Sequence, residues 1–190
     1  LEEIIMDVDE AIRILRSVGC PEDVIEHCLT VRNVALELAD KIEKNGYSID
    51  KKLVELGALF HDIGRAITHG ISHGVVGGRI LRDLDLDRLA PFAENHIGGG
   101  IPAEEAANLG LPPKDYFPNT IEEKIVAYAD KLVEGGRVVN FERSLEEFKK
   151  ELGKDHPAIE RLLKLHREMK NLIGKSYPEP ASDEALRESP

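Results

Sequence analysis

The chain has 190 residues and 21.1 kDa, with 36 Asp plus Glu against 25 Lys plus Arg, a formal net charge of -11. That acidity disfavours long nucleic acids and anionic membranes as partners, and no apolar run approaches the roughly 18 residues of a membrane span. Hydrophobic residues are 42% and charged residues 32%, the balance of a globular chain that buries a core without disulfides or structural zinc.

The first ten residues, LEEIIMDVDE, carry acids where a signal peptide has a basic start. Cys20 and Cys28 stand in no metal-binding spacing, so free thiols in a reducing cytoplasm are expected. Pro21 marks the first residue of a helix closed by Gly46, with Val24, Cys28, Val31, Ala35, Leu38 and Ile42 on one face. A helix from about Asp50 to Asp62 follows, then a Gly- and His-rich loop from Gly64 to Gly70. Ser72 is placed to cap the next helix. Asp85 to His96 reads as one helix with a kink at Pro91. Pro102 to Leu109 is a short helix ended by Gly110, and 111–120 is a proline-rich loop. Thr120 with Glu123 predicts a capping box for a helix through Val133, stopped by Gly135 and Gly136. Ser144 with Glu147 predicts a second box, for a helix to about Leu152. Pro157 to Ile173 is the last helix, ended by Gly174, and a mobile tail runs from Lys175 to Pro190. No alternating strand pattern and no internal repeat stands out. The fold class expected is all-α, a bundle of about eight helices.

Five of the seven histidines fall between His27 and His96. His27 shares the apolar face of its helix with Val24 and Val31. His61 and Asp62 close an apolar helix and enter the Gly-rich loop. Asp130 lies among Ile125, Ala127, Ala129 and Leu132, where a lone buried carboxylate is costly unless paired or bound to metal. Each alone has an ordinary structural explanation, a satisfied core histidine or a paired aspartate. Together, two imidazoles and two carboxylates suit a divalent transition metal. His73 and His96 sit at helix ends beside glycines, where a ligand approaches closely. His69 is a candidate auxiliary group, and His156 and His166 read as surface residues.

His27, then His61-Asp62-Ile63-Gly64, then Asp130 resemble the H…HD…D pattern of the HD-domain metal-dependent phosphohydrolases, over roughly residues 20 to 140. The segment HGVVGGRIL, the His-Ile-Gly-Gly-Gly turn and IVAYADKLVEGGR extend the likeness. The nearest resemblance is to the dinucleoside tetraphosphate hydrolase-like subgroup and to small archaeal HD proteins. Together with the helix signals it divides the chain into an N-terminal helix over 1–20, an HD domain over 21–140, C-terminal helices packed on it over 141–174 and a flexible tail over 175–190. The resemblance alone carries the HD domain. It implies a first metal on His27, His61, Asp62 and Asp130, and in binuclear members a second on Asp62, His73 and His96. One or two divalent ions (Fe, Mn, Co, Ni or Mg) are the implied cofactors. Arg65 replaces the common Lys after HDIG. Ile97 stands where the paired-His cyclic-dinucleotide phosphodiesterases have a second His, and the GYP element of that subgroup is absent. Asp23 occupies the place of a carboxylate found in some trinuclear relatives, and also that of a normal first-turn acid.

The implied activity is hydrolysis of a phosphate ester or anhydride of a nucleotide or similar small molecule by a metal-activated water. Asp62, Arg65 and Lys131 are the catalytic candidates. Arg65, His69, Gly98, Gly99, Lys131 and Arg137 are the substrate-binding ones, the cations offsetting phosphoryl charge and the glycine turn offering backbone N–H groups. The competing readings are a non-catalytic metal-bound sensing or docking module, a di-iron oxygenase of the same superfamily, and RNA processing at a terminal phosphate. The late helices carry apolar faces that fit either the core or a homo-oligomer.

Overall fold

Asp7 accepts a hydrogen bond from the Glu10 N–H and starts α1 (Val8–Ser17), whose Ala11 and Leu15 are fully buried. The structure, a computed structural model, describes residues 6–174; the tail expected to be mobile lies outside them. Pro21 is the residue before α2 (Glu22–Lys44) rather than its first residue, and the predicted apolar stripe is buried along the helix. Asp50 caps α3 (Lys51–Phe60) by accepting from the Leu53 N–H. Thr120 caps α7 (Ile121–Asp130) by accepting from the Glu123 N–H. These three helices pack on one another and form the centre of the core.

The remaining elements cover that centre. Ile63–Ala66 forms a 3-10 turn inside the predicted loop. It lies against α4 (His73–Asp83), where a Cβ on Gly64 would collide with the His73 carbonyl and stand 2.7 Å from the Gly77 nitrogen. Only glycine permits that approach. Ser72 makes no side-chain cap to α4. The single helix expected over 85–96 is broken: Asp85 has φ 58°, a 3-10 turn spans Asp87–Leu89, and α5 covers only Ala90–Glu94. Pro91 therefore sits in the first turn of a helix, where its missing N–H costs nothing, and does not kink one. The next helix, α6 (Ala103–Asn108), is as expected.

One predicted helix end and one predicted cap need correction. The helix predicted through Val133 stops at Asp130, and Val133–Glu134 (β1) pairs antiparallel with Arg137–Val138 (β2). Gly135 and Gly136, at φ 53° and 74°, make the turn between them. Two consecutive positive φ values are what such a two-residue hairpin needs. Strands of two residues are too short to show alternation. The next helix, α8 (Phe141–Leu152), starts before Ser144: Asn140 caps it by accepting from the Arg143 N–H. Ser144 is buried inside the helix and its hydroxyl donates to the Lys131 carbonyl, 2.5 Å away.

The last helix, α9 (Pro157–Ile173), ends at Gly174 as predicted. Its Leu162, Leu165, Met169 and Ile173 enter the main core, which assigns that face to the interior. His166 is not a plain surface residue: its ring stacks on Phe141 at 4.0 Å and its Nδ1 lies 2.8 Å from the Tyr128 hydroxyl. His156 caps α9. The described residues thus form an all-α fold of nine α-helices with one small hairpin. No helix among them is long and apolar enough to cross a membrane.

Candidate metal centre

Six ligand-type side chains converge from five places in the chain. His27 comes from α2, His61 and Asp62 from the end of α3, His73 from the first residue of α4, His96 from just after α5, and Asp130 from the end of α7. On one side His27 Nε2 lies 2.9 Å from Asp130 Oδ1, and His61 Nε2 lies 3.4 Å from the same oxygen. On the other, His73 Nε2 and His96 Nε2 stand 3.1 and 3.4 Å from Asp62 Oδ1. Two sets, His27–His61–Asp130 and His61–Asp62–His96, each bring their ligating atoms within 4.8 Å of one another.

The ring tautomers follow from the backbone. Nδ1 of His61, His73 and His96 lies 2.7, 2.8 and 2.8 Å from the carbonyl oxygen three residues earlier, of Ala58, Gly70 and Ala93. A carbonyl only accepts, so each Nδ1 carries the hydrogen and each neutral ring presents an Nε2 lone pair. The Nε2 atoms of His73 and His96 are only 3.1 Å apart, two lone pairs facing one another. His61 Nε2 and Asp62 Oδ1 are buried without a hydrogen-bond partner. Buried polar atoms are rarely left so. A divalent cation satisfies all of these atoms at once, and carbonyl-anchored imidazoles are the usual outer support of such sites. The residues present therefore fit one or two ions.

Electrostatics point the same way. Burial alone would raise the Asp62 carboxyl, yet the charge interaction with His61 beside it holds it well below the usual range. Asp130 is likewise held well below its ordinary value against burial, chiefly by Lys131. Burial would lower His61, but Asp62 beside it outweighs this and raises it well above its ordinary value, the pull of an anionic pocket on positive charge. Burial lowers His96 to about 4, which keeps it a neutral ligand. The second oxygens of the two carboxylates are held by cations: Arg65 Nε and Lys131 Nζ each lie 2.6 Å away, on Asp62 Oδ2 and Asp130 Oδ2.

His27, Asp62 and Asp130 open onto a cavity of about 870 Å³. Arg65, His69 and Lys131 line it as well, so these three substrate-binding candidates share it with the cluster. Arg137 is exposed on β2 and does not line it. Gly98 and Gly99 are not brought to it either. Gly99 packs against the α9 backbone, where a Cβ would stand 3.0 Å from Arg161 and Leu162, and it borders a separate cavity. The turn's conformation serves helix packing there. Asp23 is exposed on the cavity wall. Arg143, from α8, lines the cavity and was not singled out from sequence. Its spacing of four from Glu147 and eight from Glu151 was the available signal, since it places all three on one helical face.

Comparison with known proteins agrees with this geometry. The chain is 53% identical over 169 residues to an uncharacterized protein of Methanocaldococcus jannaschii, covering 88% of this chain and 99% of that one. It is 41% identical over 185 residues to a protein of Picrophilus torridus named tRNA (cytidine(56)-2'-O)-methyltransferase, and 40% identical over 178 residues to one of the same name from Thermoplasma volcanium. Those alignments cover 96% and 93% of this chain but only 52% and 51% of the relatives, so the chain spans about half their length. No solved structure matches. The HD domain model matches residues 24–135, a span that holds all six converging side chains, and the chain belongs to the HD-domain family.

Proposed function

We propose that this chain is a metal-dependent phosphohydrolase that cleaves a phosphate ester or anhydride of a nucleotide or similar small phosphorylated molecule. The observation that carries the reading is the convergence of carbonyl-anchored imidazole lone pairs and two carboxylates, with buried atoms lacking partners, beside a cavity that also holds Arg65 and Lys131. His27, His61, Asp62 and Asp130 would hold one ion, and Asp62, His73 and His96 a second. A divalent ion there acidifies a bound water and polarises a phosphoryl oxygen.

The chain's own groups do the rest. Arg65 and Lys131 orient Asp62 and Asp130 through their outer oxygens, and both stand where charge on an entering phosphoryl group needs cations. Lys131 is 9% exposed and lies under the Phe148 ring, 5.5 Å from its centre, which restricts its side chain. All candidate ligands are present, which favours an enzyme over a sensing module. A second reading is that the scissile phosphate is a terminal phosphate of an RNA; the two relatives named as tRNA methyltransferases favour it.

The test strips the protein with chelator, restores Mn, Co, Ni, Fe or Mg in turn, and screens phosphorylated small molecules and 5′- or 3′-phosphorylated oligoribonucleotides. Phosphate release that needs metal and fails in Asp130→Asn is the expected result. Folded, metal-loaded protein that hydrolyses none of them overturns the proposal. Oxygen consumption by an iron-loaded form would favour the oxygenase reading instead.

A further inference from the structure

We propose that, within the range of substrates the phosphohydrolase reading allows, the cavity favours phosphomonoesters whose far end is cationic or rich in N–H donors over substrates bearing a second anionic group. The inference rests on the phosphohydrolase reading for the phosphoryl end only. The far end is argued from the wall.

The lining carries seven carboxylates and three cations, an excess of four negative charges. The charges are not mixed evenly. At the inner end, Asp62 and Asp130 are buried or nearly so and are tied to Arg65 and Lys131. Two divalent ions at the cluster would supply four positive charges there and leave that end able to take a phosphoryl dianion. The outer wall is different. Asp23 and Glu26 on α2 face the cavity together with Glu147 and Glu151 on α8, and all four are exposed. The carboxylates of Asp23, Glu26 and Glu151 have no ion-pair or hydrogen-bond partner among the described residues. Glu147 is held only by the exposed Lys150, at 2.6 Å. The third lining cation, Arg143, is already engaged by Glu134 at 2.9 Å. The outer wall thus carries more free carboxylate than cationic charge.

A cavity with one cationic and one anionic pole discriminates by repulsion as much as by attraction. A ligand amine placed against four carboxylates gains, whereas a carboxylate or a β-phosphate there loses. The unpartnered, deeply buried Asp62 oxygen at the inner pole fixes which end takes the phosphoryl group, because only that pole has ligand atoms awaiting a cation. The chain's overall acidity alone would not produce this, since an evenly acidic cavity would exclude phosphate altogether.

The test uses three non-hydrolysable probes of similar size on Mn-loaded protein: 2-aminoethylphosphonate, ethylphosphonate and 2-carboxyethylphosphonate. Binding is read by titration calorimetry at low salt. The expected order is amine, then ethyl, then carboxylate, with at least about a tenfold span between the extremes. The double variant Glu147→Lys, Glu151→Lys should collapse or invert that order. In wild type, 1 M salt should compress it to below about threefold, because the Debye length is then only about 3 Å; this arm needs no variant to fold. Equal affinities, preference for the carboxylate, no binding of any probe, or a span unmoved by both salt and charge reversal overturns the inference. Phosphate release from O-phosphoethanolamine and phosphoglycolate is scored separately. The expected order of binding without hydrolysis of either ester would leave selection standing and count against the hydrolase reading. Equal hydrolysis of both would do the reverse.

Discussion

Gly64→Ala is the sharpest single perturbation of the fold that brings the six histidine and aspartate side chains together. The added methyl would overlap the His73 carbonyl oxygen and lie 2.7 Å from Gly77 N and 2.8 Å from His73 C. All three are backbone atoms of α4, so no side chain can turn aside. The 63–66 turn and α4 must separate by roughly an ångström, an overpacking that costs about 1–3 kcal/mol. His73 opens α4, and its Nε2 lies 3.1 Å from both Asp62 Oδ1 and His96 Nε2. The same shift therefore spoils ligand geometry, and a loss of about 10–100-fold in metal affinity is expected, the scale seen when groups that orient ligands are disturbed. Urea unfolding of the metal-free protein measures the first effect and Mn titration the second. Gly70→Ala is the control, since its Cβ would meet only Thr68 Oγ1 at 3.7 Å and should change stability by less than about 0.5 kcal/mol. A Gly64→Ala protein as stable as wild type, with unchanged Mn affinity, would refute the reasoning.

Two further predictions concern the support around the site. Glu94 is 7% exposed and accepts from Arg82 at 2.8 Å and Lys114 at 2.9 Å. Burial would raise its carboxyl, but those cations hold it below its ordinary 4.5, so its stabilisation is present above pH 4.5 and lost as pH falls through the depressed value. Glu94→Gln should cost about 1–2 kcal/mol at pH 7 by urea unfolding, its half-exposed partners limiting the effect, and the curves of variant and wild type should converge in acid. Separately, Asn140→Ala should cost about 1 kcal/mol as a lost cap, whereas Ser144→Ala should cost about 1–2 kcal/mol because the bond from its buried hydroxyl to the Lys131 carbonyl is lost. A helix cap at Ser144 would tolerate replacement by Asp or Asn; at this buried position that swap should instead destabilise.

His27 and Asp130 were legible because their helical spacing exposed their cost: a histidine on an apolar stripe, a carboxylate among Ile125, Ala127 and Ala129. The long helices α2 and α9 were legible because periodicity accumulates over many turns. What sequence misread were short-range choices between equal local signals. Ser144–Glu147 looks like a capping box, but Asn140 offers the same chemistry four residues earlier, and burial of Phe141 in the core decides for it. Asp85 ends a helix with φ 58° although nothing but its small polar side chain announces that. The Gly135–Gly136 hairpin flanks two-residue strands that carry no period. The glycines after His96 looked like a phosphate cradle, and only the position of α9 shows that Gly99 serves packing. Arg143, Glu147 and Glu151 share one helical face in the sequence, but that α8 turns that face to the cavity is decided by tertiary packing.

The central claim is that these histidines and aspartates form a divalent metal centre. The most direct measurement is metal content, by plasma mass spectrometry, of protein reconstituted with Mn and then desalted, for wild type and for Asp62→Asn with its fold checked by circular dichroism. The account requires one or two ions per chain in wild type and the loss of at least one in the variant, because Asp62 faces His61, His73 and His96 together. Wild-type protein that retains none, or a folded variant that keeps the full complement, would contradict it.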